Sequence, residues 1–325
     1  MFNTTGSVLR GDLNTVVEQA AQADQFFIGE KLFPQYGVER SNGQYPKMTI
    51  ATGELLTAAA TDRRPNTAYG QIVRKWTSDT YDCVDRGLEE AVDDTTQKLL
   101  SPYFEVESAT ARWVLRNVKL AHETRVAAEI VGANAATNWG AGTAAKVNYT
   151  YTLASTVDFV WDVHAAVERL VDNGIVANTI VMSSTVLQLL KQTTVLQNYI
   201  RGTSPVVQRN PINAQSLAMA FNDIGIENVY VGRARYNSAK KGQAYSAAAI
   251  WGTTYIWVGR IESGDPYNGG AGRTFTWNAE GGLWVTESYR DEKTRSNVIR
   301  VRQNTSEHVI DSACGTLITL SYSAS

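Results

Sequence analysis

Residues 103–131, YFEVESATARWVLRNVKLAHETRVAAEIV, carry the longest helical pattern in this chain of 325 residues. Apolar side chains at helical spacing form one stripe, made up of Trp113, Val114, Val118, Leu120, Ala121 and Ala127. Charged side chains form another face, made up of Arg112, Arg116, Lys119 and Glu123. With Pro102 in the first turn and Gly132 and Asn134 at the end, the pattern predicts a rod of about 43 Å. Such a rod needs a sheet or other elements along its length.

An extended pattern lies before this helix, over residues 44–82. Tyr45, Met48 and Ile50 precede a polar tip that reads LTAAATDRRP at residues 56–65, and a second β-branched and aromatic run follows the tip. This order predicts a long two-stranded hairpin. An isolated hairpin is marginally stable in water, so the ribbon needs a surface to lie on, and a neighbouring subunit is one candidate.

Two shorter helical signals flank the hairpin and the long helix. Residues 14–27 are predicted to form a short amphipathic helix within an N-terminal arm. Residues 84–99 carry a group of acidic side chains, which is typical of a helix start because carboxylates complement the positive end of the helix dipole. These side chains are Glu89, Glu90, Asp93 and Asp94.

Helical and strand patterns alternate after residue 154. The predicted order is a helix capped by Ser155 or Thr156 and closed by Gly174, a strand at 178–182, helices at 183–190 and 213–221, and a strand at 227–231. This alternation predicts a compact α/β domain. Further strands are then predicted within residues 243–262, 283–302 and 308–320.

Composition excludes several classes of protein. The formal net charge of -2 does not support general nucleic-acid binding by phosphate neutralisation. Cys83 and Cys314 are far apart and are interpreted as buried, reduced thiols, without the spacing of a zinc site. The first residues do not resemble a secretory signal, and no apolar run approaches the about 18–20 residues of a membrane span. The sequence therefore predicts a soluble protein made in the cytoplasm.

Motifs of known enzyme classes are also missing from the sequence. His122 and Glu123 lack the second histidine of a zinc-protease motif, and no GxSxG stretch occurs. His164 and His308 are interpreted as packing or surface residues, and GGAGR at residues 269–273 as a flexible loop. We predict no catalytic residue, cofactor or metal, although a pair of carboxylates suited to glycoside hydrolysis is defined by distance and not by sequence.

Five stretches, in their order and spacing, resemble the Hong Kong 97-type fold of tailed-phage major capsid proteins. YDCVDRGLEEAVDD at 81–94, followed by LAHETRVAAEIV at 120–131, resembles the lead into the spine helix of that family and the helix itself. Residues 155–192 and 213–239 resemble its axial domain, and residues 286–318, beginning TESYRDEKTRSNVIRV, resemble its closing peripheral strands.

The resemblance implies an α+β fold in five parts. They are an N-terminal arm at 1–35, an extended β-hairpin loop at 36–82, a peripheral domain with the spine helix at 83–153, an α/β axial domain at 154–282, and return strands of the peripheral domain at 283–325. Lys47 and Lys75 flank the hairpin and Asn297 lies late in the chain, but nothing marks a pair that forms the isopeptide crosslink known in one member.

The resemblance also implies a function and partners. It implies a major capsid protein of the virion, made in the host cytoplasm, that forms pentamers and hexamers of an icosahedral shell. The shell would enclose DNA without sequence-specific binding, with a separate scaffolding protein, a portal and optionally a decoration protein as partners. Two alternatives stay open: an encapsulin-like compartment shell, and a carbohydrate-active enzyme or lectin-like module that uses exposed Trp and Tyr.

Two charged turns are the predicted subunit interface. Arg63 and Arg64 at the hairpin tip suit bidentate pairing with carboxylates of a neighbour. A second charged run interrupts the late strand pattern, where mixed signs let identical copies pair around a symmetry axis. Its residues are Arg290, Asp291, Glu292, Lys293 and Arg295. An ordinary solvated turn is the alternative at both places.

Overall fold

The computed structural model describes residues 8–23, 26–47, 61–63, 65–70, 77–140, 147–151, 158–203, 212–280 and 282–322. The helices are α1 (Gly11–Ala23), α2 (Gly29–Leu32), α3 (Asp94–Leu100), α4 (Val106–Ile130), α5 (Ala135–Gly140), α6 (Phe159–Asp172), α7 (Ser184–Leu190), α8 (Thr194–Thr203) and α9 (Ala214–Ala220). The strands are β1 (Val8–Leu9), β2 (Gln35–Val38), β3 (Asn42–Lys47), β4 (Thr77–Asp82), β5 (Val84–Asp93), β6 (Val147–Tyr151), β7 (Thr179–Ser183), β8 (Asn228–Gly232), β9 (Arg235–Asn237), β10 (Ala247–Ala249), β11 (Tyr255–Gly259), β12 (Gly272–Trp277), β13 (Val285–Asp291), β14 (Ser296–Val309) and β15 (Gly315–Tyr322).

A six-stranded sheet is built around β14. One edge of β14 pairs with β13 and, farther along, with β12, while its other edge pairs with β5 over residues 296–305. β1 adds to β13 and β2 adds to β12, so the order is β1-β13-β14-β12-β2 with β5 on the opposite edge of β14. Helices α4 and α1 cover one face, where Leu13, Val17, Val114, Ile299 and Val301 form the core.

The long helix α4 confirms the main helical pattern but differs from it in detail. It begins at Val106, after Pro102, and its 25 residues span about 37 Å. Trp113, predicted on the apolar stripe, is 61% exposed, whereas Lys119 and Glu123, predicted on a charged face, are 4% and 1% exposed. The buried arc of α4 is wider than the apolar stripe because the sheet, α1 and α2 all pack against it.

The acidic segment before α3 is mostly strand. Glu89 and Glu90, expected near a helix start, lie in β5, because β5 continues the pairing with β14 as far as Asp93. Asp93 does cap α3, and its carboxylate accepts hydrogen bonds from the backbone N–H groups of Thr95 and Thr96. The prediction of a helix start is therefore confirmed for Asp93 and Asp94 and wrong for Glu89 and Glu90.

A second, five-stranded sheet has the order β6-β15-β11-β7-β8 and packs against helices α6 to α9. Phe159, Leu170, Ile180, Leu217 and Ile256 lie in its core. Helix α6 begins at Phe159 and is capped by Asp158, whose carboxylate accepts from the N–H of Trp161. The predicted caps Ser155 and Thr156 lie outside the described residues, and Asp158 occupies the capping position instead.

Strands from late in the chain enter both sheets. β12 and β14 belong to the six-stranded sheet, and β11 and β15 belong to the five-stranded sheet. The five predicted segments remain a proposal about domain organisation. In the part of the chain that the structure describes, no helix has the length and apolar character that a bilayer crossing requires.

Candidate assembly surfaces

The predicted hairpin is present in its described part as the strand pair β3 and β4. These strands pair with each other alone, in the register Asn42 to Asp82 through Lys47 to Thr77. Only Cys83 separates β4 from β5, so that the ribbon leaves the six-stranded sheet as a continuation of its edge strand. Thr77, Ser78 and Thr80 are exposed to solvent. The described ribbon is therefore solvent-exposed along much of β4, while its base is buried.

Aromatic rings anchor the base of the ribbon to the sheet. The Tyr81 ring stacks on Phe275 of β12 with centroids 4.9 Å apart, and the Tyr45 ring lies 4.8 Å from the same ring. Tyr45 is 4% exposed and Phe275 is fully buried. The backbone N–H of Cys83 donates to the carbonyl of Ser41 at 2.7 Å. Sequence patterns identified the ribbon, and the structure adds the residues that hold its base.

Arg63, one of the two predicted tip residues, is exposed. Its Nε donates to the carbonyl of Thr67 at 2.7 Å, and its guanidinium lies 4.8 Å from the centroid of the Tyr69 ring. No carboxylate pairs with Arg63 among the described residues. Arg64 lies outside the described residues. Arg63 thus contacts Thr67 and Tyr69 within its own turn, and its role in a subunit interface stays a prediction.

The second predicted turn, between β13 and β14, divides into internal and outward residues. Arg290 makes a bidentate pair with Asp94 of α3, with Nη1–Oδ1 and Nη2–Oδ2 distances of 2.5 and 2.7 Å. The hydrogen bonds from Arg290 lower the pKa of Asp94. Asp291 accepts from the N–H of Lys293 and from the Thr294 hydroxyl, which lowers the pKa of Asp291. These bonds fix the turn.

Three residues of this turn point outward. They are Glu292, Lys293 and Arg295, all exposed. Arg295 adopts a left-handed φ of 51°, and its carbonyl accepts from the N–H of Asp94, so its backbone belongs to the turn while its side chain stays outside. The structure therefore makes Arg290 and Asp291 turn-forming residues. Glu292, although exposed, lies 3.4 Å from Arg290 Nε, and the contact role of Glu292, Lys293 and Arg295 stays a prediction.

A buried carboxylate that the sequence placed on a charged helix face joins three parts of the chain. Glu123 of α4 accepts from the N–H groups of Ile28 and Gly29, the latter at 2.6 Å, and from Trp251 Nε1 at 2.7 Å. Burial raises the pKa of Glu123 despite these hydrogen bonds. A Cβ at residue 29 would lie 2.7 Å from Glu123 Oε2, so Gly29 is required for the close approach of α2.

A second buried ionic cluster joins α4 to β14. Arg125 donates to both carboxylate oxygens of Glu307 at 3.0 and 2.9 Å, and His122 Nε2 lies 3.6 Å from Glu307 Oε1. Burial lowers the pKa of His122 to about 4, which keeps the ring neutral. Burial alone would raise the pKa of Glu307, but the hydrogen bonds from Arg125 and the nearby charges outweigh it and lower that pKa.

The buried charged groups Glu123 and Glu307 are engaged in structural contacts. Within the described ranges, no three His, Cys, Asp or Glu side chains meet in an arrangement that could hold a metal ion. Cys83 and Cys314 are both buried and unpaired, and burial raises the pKa of each thiol, to about 11 and about 12 respectively.

The chain was compared with protein families and with curated proteins. No protein-family model matches the chain. No curated protein matches it either.

Solved structures do match the chain over nearly its whole length. A phage-related protein from Bordetella bronchiseptica RB50 is 21% identical with a TM-score of 0.68, covering 97% of this chain and 98% of that one. The capsid of cyanophage P-SCSP1u is 12% identical with a TM-score of 0.55, covering 91% and 89%. The putative capsid protein of a prophage of E. coli CFT073 is 9% identical with a TM-score of 0.55, covering 97% and 100%. The chain has the mixed helix and sheet fold of tailed-phage capsid proteins, as the sequence predicted.

Proposed function

We propose that this chain is the major capsid protein of a tailed bacteriophage and assembles, as pentamers and hexamers, into an icosahedral shell that encloses the viral DNA. In this proposal it is a structural component of the virion and not an enzyme. A separate scaffolding protein and a portal act in assembly. The enclosed DNA is contained without sequence-specific contacts, in keeping with a formal net charge of -2.

The observation that carries the proposal is the ribbon formed by β3 and β4. Among the described residues its strands pair with each other alone, and Thr77, Ser78 and Thr80 are exposed to solvent beyond the aromatic base. A two-stranded ribbon of this kind is marginally stable unless another surface covers it. A neighbouring copy of the chain supplies that surface in the proposed shell.

Charged residues at two places suit reversible contacts between copies. Arg63 and Arg64 at the ribbon tip, and Glu292, Lys293 and Arg295 at the outward turn, are the proposed contact residues. Arginine forms planar, bidentate pairs with carboxylates, which fix the orientation of two surfaces. Each exposed pair is individually weak, so misplaced copies can still dissociate before the shell closes.

Shortening the ribbon tests the proposal. Lys47 and Thr77 are directly opposed in the ladder, so residues 48–76 can be replaced by Asn-Gly, which suits a two-residue hairpin turn. We expect this variant to fold with an unchanged circular dichroism spectrum and to form no closed particles by electron microscopy. The wild-type chain, produced with its genomic neighbours, should form uniform particles that protect DNA from nuclease. Normal particles from the shortened variant would refute the proposal, and particles that hold protein cargo without DNA would favour the compartment-shell alternative.

A further inference from the structure

One face of α4 is basic and aromatic and lies away from the sheet. This basic face consists of Ala109, Arg112, Trp113 and Arg116 and lines an open groove of about 420 Å³ beside Ala20 of α1. Trp113 is 61% exposed, although Trp is a costly side chain to leave in water. Arg112 and Arg116 are one helical turn apart, and neither has a carboxylate within ion-pair distance among the described residues.

One face of α6 has the opposite charge and, like the basic face of α4, combines two like charges with an exposed Trp. This acidic face consists of Trp161, Glu168, Val171 and Asp172, and Trp161 and Val171 are 70% and 46% exposed. Glu168 and Asp172 are both exposed, are one turn apart, and pair with no cation among the residues that the structure describes. Positions 161, 168 and 172 fall on one stripe of the helix, because seven and eleven residues are close to two and three full turns.

Each face is unfavourable in an isolated chain and complementary to the other. Like charges at i and i+4 destabilise the helix that carries them. The spacing of about 6 Å between the two arginines equals the spacing between the two carboxylates, because both pairs are separated by one turn. Both faces add an exposed Trp, a residue type enriched at the energetic centres of protein interfaces together with Arg.

We infer that the basic face of α4 in one copy binds the acidic face of α6 in an adjacent copy. The inference rests on the proposed shell function and adds a specific contact to it. The two faces are different patches of one chain, so the contact is heterologous, and heterologous contacts generate rings when the rotation closes. A second copy is the favoured occupant because this chain itself carries the face that matches in charge, spacing and apolar content.

A charge-swap series in the full chain tests this contact. The variants are Arg112→Glu with Arg116→Glu, Glu168→Lys with Asp172→Lys, and all four substitutions together. Lys240→Glu with Lys241→Glu, in the exposed segment between β9 and β10, is the control with the same change in net charge as the arginine reversal. Assembly is measured as the particle fraction in sedimentation, under conditions that give wild-type particles, and melting curves check that each variant folds.

Each double variant should form at least about tenfold fewer particles than wild type, because reversal places like charges opposite each other at every copy of the contact. The quadruple variant should recover to within about threefold of wild type, since attraction is restored with the signs exchanged. The control should assemble as wild type does.

Three outcomes would overturn the inference. If the double variants assembled normally, the inferred contact would be rejected, while the proposed function would be unaffected. A quadruple variant that stays as poor as the doubles would assign the basic face to another acidic partner instead of a second copy. A wild-type chain that forms no particles with its genomic neighbours would reject the proposed function and this contact together.

Discussion

Trp251 Nε1 donates a hydrogen bond of 2.7 Å to Oε1 of Glu123, and both side chains are 1% exposed. The bond joins the middle of α4 to the segment that precedes β11 in the five-stranded sheet. The same carboxylate accepts from Ile28 and Gly29 at the start of α2. One side chain therefore holds the start of α2, the long helix α4 and the segment before β11 at a single point.

Removing this carboxylate should destabilise the whole chain. In Glu123→Ala, three buried N–H groups lose their acceptor, and each unsatisfied donor costs about 1–3 kcal/mol. We expect the free energy of unfolding to fall by about 3–5 kcal/mol in urea denaturation. Glu168→Ala, an exposed glutamate on a helix, is the matched control and should change it by less than about 0.5 kcal/mol. Equal effects of the two substitutions would contradict the proposed importance of the buried bonds.

Acid should destabilise the chain through His122. The pKa of His122 is about 4 in the folded chain, below about 6.5 in the unfolded chain, so the unfolded chain binds the proton more readily. Its contribution to stability is complete above pH about 6.5 and is lost as the pH falls toward 4. From pH 7 to pH 4.5 the loss is about 2 kcal/mol.

His122→Gln separates this effect from other titrating groups. Protonation of Glu307, whose pKa is lowered chiefly by hydrogen bonds from Arg125, also destabilises the chain in acid, and Arg125 is retained in both proteins. Denaturant unfolding at pH 7 and pH 4.5 should therefore show a smaller acid loss in the variant by about 2 kcal/mol. An identical pH dependence in the two proteins would mean that His122 is not held neutral by its surroundings.

Phe275 should control the order of the ribbon. Phe275→Ala removes the ring on which Tyr81 and Tyr45 pack, at a cost of about 3–5 kcal/mol. Hydrogen exchange of the β3 and β4 amides should accelerate more than that of β5, which keeps its ladder with β14. Phe275→Leu preserves most of the volume and should have a much smaller effect. Uniform acceleration across all strands would show global loosening instead of a local role.

Charge reversal at the ribbon tip should affect assembly and spare the fold. Arg63→Glu with Arg64→Glu removes two guanidinium groups from the polar tip, where Arg63 is exposed, so the melting temperature should change little. Particle yield should fall because carboxylates on a neighbour would then face like charges. Arg63→Lys with Arg64→Lys keeps the charge without the planar donor geometry and should be intermediate. A normal yield from the Glu variant would exclude the tip from the interface.

Sequence patterns predicted the helices and strands well where an element buries one regular apolar face. Alternating and helical apolar spacing located α4, α6 and the ribbon, and polar caps located α7 and α9, where Ser183 and Asn213 accept the expected backbone hydrogen bonds. The errors concern residues whose environment comes from distant segments. Trp113 looked like core because its spacing matched, yet no element covers it in the described chain.

Charged residues of α4 show why the site was only partly predictable. Lys119 and Glu123 share helical spacing with Arg112 and Arg116, and sequence spacing cannot separate them. Lys119 is buried against Glu30, and Glu123 is buried against Ile28, Gly29 and Trp251, so long-range partners decide their burial. The same holds for the predicted interface residues. Arg290 is an internal residue because it pairs with Asp94, which lies far away in the sequence.

The order of strands in the six-stranded sheet has a consequence for biosynthesis. β1, β2 and β5 each pair with a strand from beyond residue 270, namely β13, β12 and β14. During translation, β1, β2, β5 and α4 are therefore synthesised before the strands that complete their sheet have left the ribosome. Contacts between residues so far apart in sequence form slowly. A nascent chain therefore cannot form a finished ribbon base before Phe275 of β12 has left the ribosome.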